Sequence, residues 1–360
     1  MRSPRSALRA IVGILLVSVV SVPALPAAPA RAASISVELV AGGLRLPVAF
    51  EFAPDGRIVY VERRTGAVRI VDGPGSSLLT TIGGAQSLTG LALHPNYPST
   101  PSVYVWGRRE LSGVTKDQLV RITGSGADVS KRVLLSITST GQDYGGDVDF
   151  GPDGKLYLVT GDQSMAANAQ DLSSPSGKIL RMNADGSIPA GNPFPDNRVW
   201  AYGLRNSIGM SFDPENGRLW MVDNGPQCND EVNRIIKGRS HGWGPARTCE
   251  TPPAPPVNTN QDGPSPVLPT WWSVSSIGPT GIEFCSSCGL GPDVDGRLLF
   301  GDVNFGQLHA ATLNATRTAV VSESVVYTHT GRIFSIETGP DGFLYTSNPR
   351  AIFRLVLTDP

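Results

Sequence analysis

The chain has 360 residues, 40% hydrophobic and 17% charged, with 41 glycines and 30 prolines. Long apolar segments of helical period are absent, so this Gly/Pro density implies a turn-rich, all-β protein and excludes a helical bundle. The 30 basic residues nearly balance the 31 acidic ones, and four of the arginines fall in residues 1–32. Residues 33–360 therefore carry 26 basic and 31 acidic groups, net −5, which gives no footing for nucleic-acid binding.

Arg2, Arg5 and Arg9 precede the apolar run Ile11 to Val22, and Ala30-Arg31-Ala32 offers a small-residue cleavage site. This pattern predicts a secretory signal peptide over residues 1–32, too short to span a membrane as a mature helix. No cysteine lies near the cleavage site, so a lipid anchor is not expected. The exported remainder, residues 33–360, is expected to form one domain.

Along that remainder one unit recurs. "FAPDGRIVYVERRTGAVRIV" begins at Phe52, and "LALHPNYPSTPSVYVWG" at Leu91. "TGQDYGGDVDFGPDGKLYLVTGDQ" runs from Thr140 to Gln163, "SFDPENGRLWMVDNGP" begins at Ser211, "DVDGRLLFGDVNFGQLHAATL" at Asp293, and "ETGPDGFLYTSNPRAIFRLV" at Glu337. Each is a turn, an apolar strand and a polar corner, often with a further strand. Six copies spaced by about 55 residues predict a six-bladed β-propeller. A β-sandwich is the alternative, but it requires no such recurring unit.

The third copy is a hairpin, with Gly151-Pro152-Asp153-Gly154 as its turn. Residues equidistant from a hairpin turn become neighbours, so Asp143 and Asp162 should meet at its open end. Applied to every unit, this rule gathers Glu62, Arg63, Asp143, Asp162, Arg205, Gly225-Pro226 and Arg332 around one mouth, a ligand site. Two close carboxylates repel, so Asp143 and Asp162 should share a cation, either Arg205 or a metal.

The four cysteines, Cys228, Cys249, Cys285 and Cys288, allow three pairings in an exported chain. We expect Cys228–Cys249 and Cys285–Cys288. Zinc at Cys285-Ser286-Ser287-Cys288 would need two further ligands, and no second such pair exists. Asn258, Asn260 and Asp262 resemble part of a calcium loop without its closing glutamate; local Asx turns are the better reading. His94 is expected to be structural, and Trp271-Trp272 either to stack on a sugar or to pack a blade.

"GLALHPNY" (Gly90–Tyr97), "GKILRMNADGSIPAGNPF" (Gly177–Phe194), "YGLRN" (Tyr202–Asn206), "NGPQCNDEVNRI" (Asn224–Ile235) and "HGWGP" (His241–Pro245) occur in that order. Together they resemble the soluble quinoprotein sugar dehydrogenases and the wider glucose/sorbosone dehydrogenase-like group, from about Leu44 to Val356. The resemblance implies a six-bladed propeller that binds pyrroloquinoline quinone (PQQ) and Ca²⁺ and oxidises a sugar or related alcohol, passing electrons to an external acceptor. It implies Gly225 and Pro226 as carbonyl ligands of Ca²⁺ supported by Asp230, Arg205 and Asn206 facing the cofactor, and Arg332 holding a cofactor carboxylate. Asp143, Asp162 and Arg205 would form the catalytic group. An ordinary blade turn competes for Gly225-Pro226, an ion pair with Asp162 for Arg205, and a solvated charge pair for Asp230-Glu231.

Three positions depart from the family pattern. Its base is a histidine ahead of the Gly-Gly pair, oriented by the aspartate matching Asp162; this chain has Asp143 there, a weaker base than imidazole. A lysine of the fifth blade is replaced by Asn304, and a second arginine by Phe334. Two other functions therefore stay open: a redox-inactive propeller that binds carbohydrate or protein, and a Ca²⁺-dependent lactonase-like hydrolase using Asp143 and Asp162.

Overall fold

The recurring turn sets the architecture. In the computed structural model, which describes residues 34–358 apart from 74, 125 and 250–254, Gly151 N–H donates to Lys155 O (2.9 Å) and Gly154 N–H to Gly151 O (2.8 Å). Gly154 takes φ +70°, which an L side chain resists. The same closure joins Ala53 to Arg57, Asp213 to Arg218 and Gly339 to Phe343. Each turn connects the first and second strands of a four-stranded antiparallel sheet.

Six such sheets form a ring. Blade I comprises Pro47–Phe52, Ile58–Glu62, Ala67–Asp72 and Gly75–Thr81; blade II, Ala85–Leu93, Ser102–Leu111, Val114–Thr123 and Ser130–Thr138. Blade III comprises Val148–Phe150, Leu156–Thr160, Lys178–Met182 and Val199–Tyr202; blade IV, Gly209–Phe212, Leu219–Asp223, Asp230–Arg234 and Trp271–Ser273. Blade V comprises Pro279–Phe284, Leu298–Asp302, Gln307–Leu313 and Val320–Thr328. Blade VI takes Ile336–Thr338, Leu344–Ser347 and Ile352–Thr358 from the end of the chain and Ser34–Ala41 from its start. Pairing of Ser34 with Thr358 through Leu39 with Phe353 closes the ring. The expected six-bladed propeller is thus the fold; the expected signal peptide lies outside the described residues.

Second strands such as Leu156–Thr160 and Leu219–Asp223 are buried along their whole length, because neighbouring blades cover both faces. This explains the unbroken apolar runs after each turn. Core clusters lie between adjacent blades, with Trp106 and Trp220 wholly enclosed. Among the described residues no helix is long and apolar enough to cross a membrane.

With strand order fixed, second-to-third-strand loops and blade-to-blade connectors share one face. That face carries Arg63, Asp143, Asp162, Arg205, Gly225-Pro226, Asn304 and Arg332 together.

The innermost strands direct a second acidic group at the axis. Asp147 and Asp149 alternate with Val148 and Phe150, and join Glu51, Glu283 and Glu337 in one half-buried cluster. Ser211 Oγ and Thr338 Oγ1 donate to Glu283, and Ser335 Oγ to Glu337. Burial, reinforced by mutual repulsion, pushes Asp147 up to about 8 and Glu283 to about 7; burial pushes Asp149 to about 6. Glu51 and Glu337 rise well above the carboxylate range for the same reasons.

These acids hold protons more tightly folded than unfolded, so between about pH 4 and pH 8 the native state binds more protons. Their contribution to stability is complete at the acidic end and declines as pH rises through that window. Urea midpoints across about pH 5–8 should show a smaller decline for Asp147→Asn/Glu283→Gln than for the unmodified chain. Parallel curves for the two proteins would remove this account of the axial acids.

Candidate active site

A cavity of about 300 Å³ opens at the centre of this face, at the lower end of small-molecule sites. Asp143, Asn206 and Arg332 line it with apolar Val303, Phe334 and Ile208. Asp143 reaches its wall because Gly145-Gly146 turns the chain at φ +67° and +146°. A Cβ on Gly146 would collide with Thr89, and one on Gly145 with the backbone of Gly161.

The hairpin register extends to its open end, where Gln163 N–H donates to Asp143 O (2.8 Å). Asp143 thus faces Gln163, one residue beyond Asp162. Ser164 joins the two acids: its N–H donates to Asp162 Oδ1 (2.7 Å) and its hydroxyl to Asp143 Oδ2 (3.0 Å). Arg205 Nη2 donates to the same Asp143 Oδ2 at 3.0 Å. Among the described residues Arg205 therefore forms its ion pair with Asp143 alone; the two acids share the Ser164 donor rather than a cation, and the expected Arg205–Asp162 pair does not form. Asp143 Oδ1 takes no hydrogen bond among the described residues.

Arg205 is held from behind as well. Its Nη1 donates to the carbonyls of Asn224 (2.9 Å) and Gly225 (3.0 Å). The buried Asp223 carboxylate accepts both backbone N–H groups of Arg205 (2.9 Å) and Asn206 (2.7 Å). Burial pushes Asp223 up to about 6, against the lowering effect of those bonds. Asn206 Oδ1 accepts from Gly145 N–H (3.1 Å), tying the corner of blade III to the Asp143 loop.

Asp162 lies beneath the pocket, 2% exposed, where Trp243 Nε1 donates to its Oδ2 at 2.7 Å. Burial raises its carboxyl above the ordinary value. Trp243 arrives by an unexpected route. The connection from Arg234 to Trp271 climbs the outer edge of blade III, where Gly238 bonds Trp200, His241 bonds Tyr202 and Trp243 bonds Gly203. The disulfide Cys228–Cys249 (Cα–Cα 5.9 Å) tethers this excursion beside Gly225, and Cys285–Cys288 is the second bridge (5.1 Å), as expected.

Sequence reasoning missed Gln163, Ser164, Asp223 and Trp243. Gln163 and Ser164 stand at φ +65° and +59°. The Gln163 side chain is fixed by Asp117 and Arg108. Lys178, within the "GKILR" stretch, is wholly buried and donates to the carbonyls of Asn168, Ala169 and Ser176. Burial lowers its ammonium to about 7.

Other expected positions have structural partners. Asp230 is buried and accepts from Gly225 N–H (2.8 Å), Ile277 N–H (2.6 Å), Gly278 N–H (2.8 Å) and the Ser276 hydroxyl (3.2 Å). Glu231 is buried too, so the solvated charge pair is excluded. Asn260 Nδ2 donates to His241 O, and Asp262 accepts from Ala246 N–H, so both serve local loop contacts. His94 packs edge-on to Phe150, and Trp271 against Phe300.

Residues 44–353 match the Glucose / Sorbosone dehydrogenase family. The chain belongs to that family. It is 26% identical over 361 residues to aldose sugar dehydrogenase YliI of Escherichia coli (strain K12), covering 91% of this chain and 94% of that protein. A glucose dehydrogenase-type oxidoreductase structure from Thermus thermophilus aligns with TM-score 0.78 at 29% identity, covering 90% of this chain and all of the other. The PQQ-bound aldose sugar dehydrogenase of Streptomyces coelicolor aligns with TM-score 0.74 at 25% identity, over 92% of this chain and all of that one.

Within the glucose/sorbosone dehydrogenase family, this chain's pocket suits a flat, carboxylated quinone on one side. Arg332 has no acidic partner among the described residues, and Phe334, Val303 and Ile208 present an apolar wall. Asn304 offers no cation, and its Nδ2 donates to Ser276 O (3.0 Å). The cation side does not suit Ca²⁺. Gly225 O already accepts from a guanidinium, leaving Pro226 alone of the two implied carbonyl ligands, and the supporting Asp230 carboxylate already accepts from four donors.

Replacing Trp243 by Phe removes the indole donor while keeping an aromatic ring. A buried carboxylate oxygen left unpaired costs about 1–3 kcal/mol, so Trp243→Phe should lower the denaturation midpoint accordingly. An unchanged midpoint in chemical denaturation would show that Asp162 does not depend on this bond.

Proposed function

We propose that this chain is an exported, quinone-dependent oxidoreductase acting on a sugar or related polyol, with Asp143 as its base. The observation that carries this reading is the setting of Asp143 on the pocket wall: Oδ2 fixed by Arg205 and Ser164, Oδ1 unengaged, in a member of a sugar dehydrogenase family. Two disulfides in the chain support an oxidising compartment.

Bound in the pocket, PQQ would supply a two-electron acceptor for the hydride leaving the substrate's hydroxyl-bearing carbon. Asp143 Oδ1 takes the hydroxyl proton as that hydride leaves. Arg205 acts through Asp143, fixing the carboxylate, and is a positioning residue because it lies behind the pocket wall. Asp162 in turn positions Ser164. Arg332 and the Asn206 amide would hold cofactor carboxylates, and an external acceptor would be needed to take up the electrons. In this reading the fixed positive charge beside Gly225 is Arg205, so no divalent cation is required.

The places of Asn304 and Phe334 favour one second reading, a propeller that binds carbohydrate without oxidising it. Loss of two charge-assisted contacts, each worth about 1.5–3 kcal/mol, weakens the hold on a polyanionic cofactor by orders of magnitude. Lactone hydrolysis gains no such support, since Ser164 bridges the two acids and of them only Asp143 lines the pocket.

Asp143→Asn should keep the fold and quinone binding but reduce the oxidation rate by about 10²–10⁴-fold, the contribution of a positioned base. Steady-state kinetics with a dye acceptor test this, and full activity in the variant would remove Asp143 from the reaction. Asn304→Lys/Phe334→Arg should tighten quinone binding in calorimetry. If neither that double variant nor the unmodified chain binds quinone, the carbohydrate-binding reading replaces oxidation.

A further inference from the structure

A second cavity, of about 400 Å³, adjoins the central pocket and shares Arg63, Gln142 and Tyr144 with it. Arg64, Arg108 and Glu110 contribute to its other walls. The charges there are not equivalent. Arg108 is neutralised by the buried Asp117, with Nε to Oδ1 at 2.8 Å. Its guanidinium also lies 4.1 Å from the Tyr144 ring centroid, which fixes that ring between the two cavities.

Arg63 is held differently. Its Nε donates to Ser87 Oγ (2.8 Å) and its Nη2 to Tyr144 Oη (3.3 Å), while Tyr144 Oη donates to Ser87 Oγ (2.7 Å). Two neutral hydroxyls orient this guanidinium without cancelling its charge, and Nη1 has no partner among the described residues. Arg64 is exposed and has no acidic partner there either. Glu110, exposed and without a cationic partner, is the one unneutralised acid on the wall. A planar guanidinium fork held open in this way matches an oxyanion, carboxylate or phosphate.

We infer that this groove binds the oxyanion of an acidic sugar whose neutral part reaches past Tyr144 into the central pocket. The substrate class is thereby narrowed to sugars bearing a carboxylate or a phosphate. The inference rests on the central pocket being the sugar site, but binding alone tests it.

Calorimetry with glucuronate, glucose 6-phosphate and glucose, at low and high salt, separates the possibilities. At low salt at least one acidic sugar should bind about tenfold or more tightly than glucose, and added salt should shrink the gap. Arg63→Gln/Arg64→Gln should abolish the preference, and Glu110→Gln should widen it. Comparison of the two acids identifies which oxyanion is taken. Equal affinity for all three sugars, a preference that survives the double variant, or no binding of any sugar overturns the inference. Acidic-sugar binding without any oxidation leaves the groove in place and removes the dehydrogenase reading; oxidation of neutral sugars with no acidic preference does the reverse.

Discussion

The arrangement of the mouth depends on one ion pair, Asp143 with Arg205. A carboxylate at 15% side-chain exposure beside a guanidinium at 17% is shielded enough for the attraction to matter, yet open enough for one carboxylate oxygen to meet a ligand. The pair decides where Arg205 points. With Nη2 on Asp143, Nη1 falls on the carbonyls of Asn224 and Gly225. The Gly225 carbonyl is thus engaged by Nη1 rather than open to a ligand.

Around that pair, the propeller uses buried aspartates to fix its corners. Asp223 at the end of one strand clamps the N–H groups of Arg205 and Asn206; Asp230 at the start of the next clamps Gly225, Ile277 and Gly278. Asp162 clamps Ser164 and Trp243. Each carboxylate accepts backbone or indole donors that a loop at a blade corner would otherwise leave unpaired, a requirement for any buried polar group. The site is therefore rigid because its supports are buried acceptors, and the acids that looked most like ligands in the sequence are mainly supports.

Local pattern carried the fold well. Six turn-strand-corner units, the shared face and both disulfides were legible because each rests on short-range periodicity or pairing geometry. Asp143 was legible for the same reason, as a hairpin brings equidistant residues together. Three features were not. Asp147 and Asp149 merely alternate with Val148 and Phe150 in the sequence, but the sixfold ring turns them toward a narrow axis where they meet Glu51, Glu283 and Glu337. Trp243 lies 81 residues from its partner Asp162 and reaches it along the edge of another blade. The direction of the Arg205 side chain depends on three loops converging in space, and no spacing in the chain encodes it.

Titration of the protein with PQQ, followed by absorbance, in excess chelator and again with Ca²⁺, tests the central claim most directly. If Arg205 supplies the fixed cation beside Gly225, the quinone binds with chelator present and added Ca²⁺ changes the affinity little. Binding that appears only when Ca²⁺ is supplied would contradict the account, because the Gly225 carbonyl would then have to leave Arg205 for the metal.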